Sequence, residues 1–281
     1  MDYEGLILEC GFKGRAEYHP PESVLANPHI APNLAVDSIL SDPTGLLTQI
    51  QQVVAKEFAR RRWVVARSEY EKKRALEHLE PLSQANSLFE VLLGLWWFAS
   101  FLSGLVAVAS LKLPTHRKAL VLMKELLHSQ DRLDLHERLL TVLGYAYMSP
   151  EEVGVYLQEC TIAFDRAVAV KRRPSYWGFK LRPHIRPYAI DGAREMMDEG
   201  HHREAMYWIE AFFAIALAVI QNDAPQEEKP CFQATFGRLL SDLGLTTPDD
   251  WRSRLRQARK LVGGVFKVAD DIVAHHPGVI D

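Results

Sequence analysis

Cysteine is nearly absent from the 281 residues: Cys10, Cys160 and Cys231 stand far apart, odd in number and without a CxxC or Cys/His spacing. That excludes a disulfide framework and a thiolate zinc centre, and it suits a reducing, cytoplasmic setting. An excess of one charge is lacking too. The 33 basic and 36 acidic residues leave a net charge of -3, so any affinity for nucleic acid or anionic lipid must come from a local patch. A basic n-region is missing from Met1 to Glu9, where acids stand instead, which argues against a secretory signal. There is no convincing internal repeat, low-complexity tract or heptad run. Charge is also absent from Val91 to Leu111, VLLGLWWFASFLSGLVAVASL, a run long enough to cross a bilayer. Trp96 and Trp97 sit inside this run rather than at an interface, and Ser100, Ser103 and Gly104 suit close helix packing. The run therefore reads as the central buried helix of a bundle rather than as a membrane span. Ala211 to Ile220 is too short to be a second span.

What is present, 48% hydrophobic and 25% charged residues, is the profile of a soluble globular protein. The first 40 residues differ from the rest. LILEC and RAEYH are of strand length around GFKG, which predicts a hairpin, and Pro20, Pro21, Pro28 and Pro32 predict an extended loop over Pro20 to Asn33. Ser38 to Leu40 reads as a strand end. Asp42 then caps a helix with Pro43 at its first position, and Leu46, Leu47, Ile50, Val53, Val54 and Phe58 recur on one face. Further helices are expected near Val64–Glu80, Ser83–Leu111, Thr115–Ser129, Asp134–Leu143, Pro150–Val170, Tyr188–Glu199, His201–Gln221, Glu228–Leu243 and Pro248–His275. Ser149, Pro150 and Glu152 give S-x-x-E with proline first, Thr247, Pro248 and Asp250 repeat the signal, and Gly200 and Gly244 fall where C-caps belong. The fold class is thus mainly α, a β-hairpin followed by helical bundles. The expected divisions are 1–42 hairpin and loop, 43–172 first bundle, 173–187 basic linker and 188–281 second helical unit.

AEYHPPESV, a strand with an acid and then a loop, is followed by ILSDPTGLL, a last strand into a linker helix, and by an apolar helix leading into PTHRKALVLMKELL. Over roughly Arg15 to Leu127 this order resembles the back half of a nucleotidyltransferase of the DNA polymerase β-like superfamily, the class that includes aminoglycoside nucleotidyltransferases. The resemblance implies a small α/β head with the metal site and a bundle that closes over nucleotide and acceptor. The reaction it implies is magnesium-dependent transfer of a nucleoside monophosphate from a nucleoside triphosphate to a hydroxyl of a small molecule or RNA. It also implies Glu17 as the third carboxylate, a catalytic and metal-ligating residue; the competing reading is a solvated hairpin residue. The family's Gly-Ser turn and paired acids are missing, since the chain has no Gly-Ser dipeptide. Asp2 and Glu4 alternate correctly but have no preceding turn. The resemblance therefore implies a chain that is truncated or inactive as it stands.

Two basic segments carry binding readings of their own. His116, Arg117 and Lys118 are expected in the first turn of a helix, where cations oppose the helix dipole unless an anion sits nearby. Arg117 and Lys118 are thus candidate nucleotide contacts, against the reading that they reach solvent or pair with acids. Lys171 to Pro187, KRRPSYWGFKLRPHIRP, has no acid and three prolines. Arg172, Arg173, Trp177, Lys180 and Arg182 could neutralise nucleic-acid phosphates and stack bases, or simply form a basic linker. The alternative function is a non-catalytic helical module binding nucleic acid or protein, and a homodimer is compatible with either reading.

Overall fold

The computed structural model describes residues 2–3, 6–7, 13–85, 87–175 and 177–281. Among them the fold is mainly α. The helices are α1 Pro21–Leu25, α2 Ala31–Leu34, α3 Leu46–Glu57, α4 Arg61–Leu79, α5 Leu88–Ala109, α6 Ala119–His128, α7 Leu133–Leu143, α8 Pro150–Val170, α9 Gly192–Asp198, α10 His202–Asp223, α11 Lys229–Asp242 and α12 Pro248–His275. Among the described residues, strand is confined to the antiparallel pair Asp2–Tyr3 and Leu6–Ile7 and to one bridge, Arg60 with Ile280.

The long helices begin and end where their caps direct. Ser149 Oγ accepts the Glu152 N–H at 3.2 Å and Glu152 Oε2 accepts the Ser149 N–H at 2.8 Å, the reciprocal box expected of S-x-x-E. Thr247 and Asp250 repeat it at the start of α12, at 3.2 and 2.8 Å. Gly200 and Gly244 take positive φ, 84° and 65°, which lets the chain leave α9 and α11 in the left-handed turn that a side chain disfavours.

The N-terminal expectations are corrected. RAEYH does not form a second strand: Arg15–Tyr18 is a 3-10 turn in which Glu17 Oε1 accepts the Gly14 N–H at 2.8 Å. The hairpin is thus not formed as expected, and Gly11 and Phe12 of its turn lie outside the described residues. The proline-rich loop contains two short helices, because Pro21 and Pro32 occupy first-turn positions where no N–H is needed. Ser38–Leu40 is irregular rather than a strand. Asp42 and Pro43 do not open the next helix either: α3 begins at Leu46 with Gly45 as its N-cap, and Asp42 reaches the first turn only from the preceding loop, its Oδ2 taking the Thr48 N–H at 2.8 Å.

The chain divides into two compact units, each assembled from separated segments. The first comprises Met1–Cys10, Leu82–Trp96 and Glu137–Gln257, so the basic segment 173–187 lies within it. Its core is the pairing of α8 with α10. Val153, Leu157, Cys160, Phe164 and Ala167 recur every three to four residues and are buried. Phe164 meets Phe212 at 6.0 Å, and Phe213 meets Phe236 of α11 at 5.2 Å. Each such ring removed from water contributes ~2–3 kcal/mol. Trp208, Phe212, Phe213 and Ile215 are buried in this core.

The second unit comprises Gly11–Pro81, Trp97–His136 and Ala258–Asp281. Val24, Leu25, Ile30, Ala31 and Leu34 pack with Ile50 and Val54 of α3. The chain end is tied in by Arg61 N–H to Ile280 O at 2.7 Å, Ile280 N–H to Ala59 O at 3.0 Å and Arg61 Nε to Asp281 Oδ1 at 2.5 Å. Among the described residues two helices, α5 and α10, are long and apolar enough to cross a membrane, each 22 residues, so the second apolar helix is longer than the short run at Ala211–Ile220 suggests. Their most apolar windows are 89% and 72% buried within the protein, the setting of core helices.

Candidate functional site

In the second unit, α4 turns a polar face inward. Val64, Arg67, Ser68, Glu71, Ala75 and Leu79 recur at helical spacing and are all buried. A buried charge is costly unless it is paired or neutralised, and two solutions coexist here. Arg67 keeps its charge: its guanidinium lies 4.2 Å from the Phe58 ring and donates to Leu25 O at 2.8 Å and Phe58 O at 2.7 Å, with burial drawing its pKa down to about 10. Glu71 gives its charge up. It is 0% exposed, neither carboxyl oxygen has a hydrogen-bond partner among the described residues, and burial, only partly opposed by Arg74, pushes its pKa up to about 8. Space for the carboxyl comes from Gly104 of α5, where a Cβ would fall 2.9 Å from Oε2.

Above Glu71 stands His29, whose Nε2 lies 3.6 Å from Glu71 Oε1. The loop between α1 and α2 fixes it: the His29 N–H donates to Asn27 Oδ1 at 2.9 Å, Asn33 Nδ2 donates to His29 O at 3.1 Å, and Tyr70 meets the ring edge-on at 6.0 Å. Desolvation, then the positive charges of His116, Lys13 and Arg74, hold the imidazole below the ordinary histidine range. With His29 neutral and Glu71 protonated, the pair is uncharged at neutral pH and 3.6 Å is too long for a hydrogen bond. The outer side of His29 lines an open cleft of about 450 Å³ with Lys13, Tyr18, Asn33, Ser38 and Ser41.

One turn along α4, Arg74 donates to Glu77 Oε2 at 2.6 Å and lies 5.2 Å from the Phe101 ring. His78 stacks on Phe101 at 5.3 Å and Trp97 at 5.7 Å. His116 meets Trp97 edge-on at 6.2 Å, with Nδ1 3.3 Å from Ser100 Oγ. Cations and imidazoles thus gather on the aromatic faces of α5, and of these Arg74 and His116 act electrostatically on His29.

The residues expected from the sequence fall in several places. Glu17 is exposed, its Oε2 3.2 Å from Lys13 Nζ, and the Gly14 N–H and then Lys13 hold its carboxyl below the ordinary range. Among the described residues no group of three or more His, Cys, Asp or Glu is arranged to hold a metal ion. Glu17 itself is engaged as a turn cap. Glu4 lies outside the described residues. Arg117 and Lys118 are half-buried in the turn ahead of α6, with Lys118 at its N-cap position, rather than in a first helical turn begun at Thr115.

In the first unit, acids from elsewhere answer the basic segment. Asp223 Oδ2 accepts the N–H groups of Arg172 and Arg173 at 2.7 and 3.0 Å, and Asp165 takes Arg186 Nε at 2.8 Å. Lys171 Nζ donates to the carbonyls of Gly178 and Leu181 at 2.8 and 2.6 Å, which folds the segment on itself. Trp177 adopts φ 55°, a left-handed conformation costing ~1–2 kcal/mol, and its ring meets Trp96 edge-on at 5.2 Å. Arg172, Arg173 and Arg182 are exposed, and Lys180 Nζ lies 5.5 Å from the Phe179 ring. Tyr176 lies outside the described residues.

Sequence reasoning missed His29 and Glu71, because Glu71 stands in a charged run, RSEYEKKRALEHLE, that reads as a solvated face. The available signal was Gly104, a small residue in a long apolar helix. No family model matches the chain, and no curated protein sequence or solved structure matches it either.

Proposed function

We propose that this chain binds a phosphate-bearing small molecule, a nucleoside triphosphate being the leading case, in the cleft over His29. The observation that carries the reading is the gathering of Lys13, Arg74 and His116 around an imidazole that faces an open cleft while an uncharged carboxyl lies beneath it. An anion in the cleft favours the imidazolium, and the Glu71 proton, one short step away, can supply it. Binding then converts a neutral pair into an ion pair without net proton uptake. Arg117 and Lys118 follow His116 directly in sequence and are the next contacts for a longer phosphate chain. Nucleotidyl transfer, the reaction implied by the resemblance, needs paired carboxylates for its two metal ions. Glu17 is committed to Gly14 and Lys13, so binding rather than transfer is the activity we assign.

Calorimetry tests this with ATP plus magnesium, ATP plus EDTA, and pyrophosphate. Micromolar binding that survives EDTA and weakens about tenfold in Lys13→Ala, a scale of ~1.4 kcal/mol, supports the reading. Absence of heat for all three ligands refutes it, as does binding indifferent to Lys13→Ala, His29→Ala and Lys118→Ala together. The exposed Arg172, Arg173 and Arg182 beside Phe179, itself 56% exposed, favour a second reading, single-stranded nucleic-acid binding. Affinity for RNA that falls steeply with salt would support it.

A further inference from the structure

In the first unit, α5, α10 and the loop at Trp177 enclose an apolar pocket lined by Phe89, Leu92, Trp96, Trp177, Glu210 and Ala214, among others. We propose that this pocket is a binding site for a compact organic cation, an alkylammonium or quaternary ammonium head group. The cleft over His29 plays no part in it.

Three observations carry the proposal. Trp96 and Trp177 stand at right angles, 89°, with centroids 5.2 Å apart, so two indoles border one space, and aromatic faces attract cations through their quadrupoles. Tyr207 stacks on Trp96 at 4.8 Å and Trp96 Nε1 donates to Tyr207 O at 3.0 Å, which fixes the first indole. Glu210 is the one ionisable group among the described residues that line the pocket. It is 5% exposed, and its Oε2 accepts from Tyr145 OH.

A carboxyl in so apolar a wall is expensive to ionise, and burial pushes it up to about 7. A cation seated in the pocket against the corner formed by the two indoles compensates that charge. Ala211 and Ala214, one turn apart on α10, keep the space open, about 40 Å³, which restricts the occupant to a small head group. Phe89 is 43% exposed, so the pocket reaches the surface and the remainder of a longer ligand can leave past it.

The test uses tryptophan fluorescence and calorimetry on the full chain, with tetramethylammonium and choline as probes and 3,3-dimethylbutan-1-ol as the uncharged isostere of choline. The expected result is submillimolar binding of choline at least tenfold tighter than the isostere. In Glu210→Gln that preference falls to within about twofold, and Ala214→Leu, which fills the pocket, abolishes both. Equal binding of choline and its isostere to the unaltered chain overturns the proposal whether or not the variants fold. So does a preference that persists in Glu210→Gln, or no binding of either cation at 50 mM and above.

Discussion

Replacing Glu71 by glutamine keeps the shape of the side chain and removes its ionisation, which isolates the cost of a carboxyl facing Gly104 with no hydrogen-bond partner. In the fold Glu71 holds its proton up to about pH 8, whereas the unfolded group releases it near 4.5. The native state therefore binds more protons than the unfolded state across that window, and stability falls as pH rises through it, by ~1.4 kcal/mol per pH unit. The accumulated cost is ~3 kcal/mol at pH 7 and ~4 kcal/mol at pH 8, and it levels off near ~5 kcal/mol above that. Glu71→Gln escapes this cost. Urea unfolding of both chains at each pH from 5 to 9 is expected to show the variant gaining on the parent up to pH 8 and then running parallel. Glu210 titrates in the same range, but its contribution is common to both chains and cancels in the difference; His29, beside Glu71, titrates below its ordinary 6.5, so the comparison above pH 7 is free of it. A difference that stays flat from pH 5 to 8, or a variant less stable than the parent at pH 8, would refute the reasoning. Glu71 would then be ionised in the fold and paired with a protonated His29.

Gly104→Ala drives a methyl group against the Glu71 carboxyl, 2.9 Å from Oε2 and 3.2 Å from Oε1. The expected loss is ~1–3 kcal/mol, turning into a gain of up to ~1 kcal/mol in a Glu71→Ser background, where helix propensity alone acts; the double-mutant cycle reads the coupling. Tyr145→Phe strips Glu210 of its hydroxyl donor and is expected to cost ~1–3 kcal/mol. Glu210, pushed up to about 7 by burial, then titrates higher still, so the fall in stability that begins near pH 4.5 extends to higher pH. Ser149→Ala removes the acceptor that starts α8 and is expected to lower stability by ~1 kcal/mol, measured as a shift in urea midpoint with unchanged slope.

The long helices were legible because their signals are local. Ser149 with Glu152, Thr247 with Asp250, and the glycines at 200 and 244 specify ends within a few residues of chain. The N-terminal segment was misread because proline serves two opposite purposes: Pro21 and Pro32 break what precedes them, yet each opens a short helix held by Ile50 and Val54, partners that lie some 20 residues on. RAEYH has strand-like residues, but the Gly14 N–H is claimed by Glu17 three residues later, and a 3-10 turn results. The candidate site was less legible than the fold. His29, Glu71 and Gly104 are separated by more than 30 residues at each step, and no periodicity links them. Glu210 left a trace, a single acid within MYWIEAFFAIALAVI, and an isolated ionisable residue in such a run is worth inspecting first.

The discontinuous make-up of the second unit bears on how the chain is synthesised. Arg60 and Arg61 emerge from the ribosome early, but the carbonyls and carboxylate that receive them, on Val273, Ile280 and Asp281, come some 220 residues later. At ~5–20 residues per second, that is a delay on the order of ten seconds or more. During it, apolar Trp97–Ala109 is already made while Ala258–Asp281, a segment of the same unit, is not. A nascent chain in that interval is a natural client for a chaperone, and ribosome stalling anywhere before Ala258 would leave the apolar segment waiting.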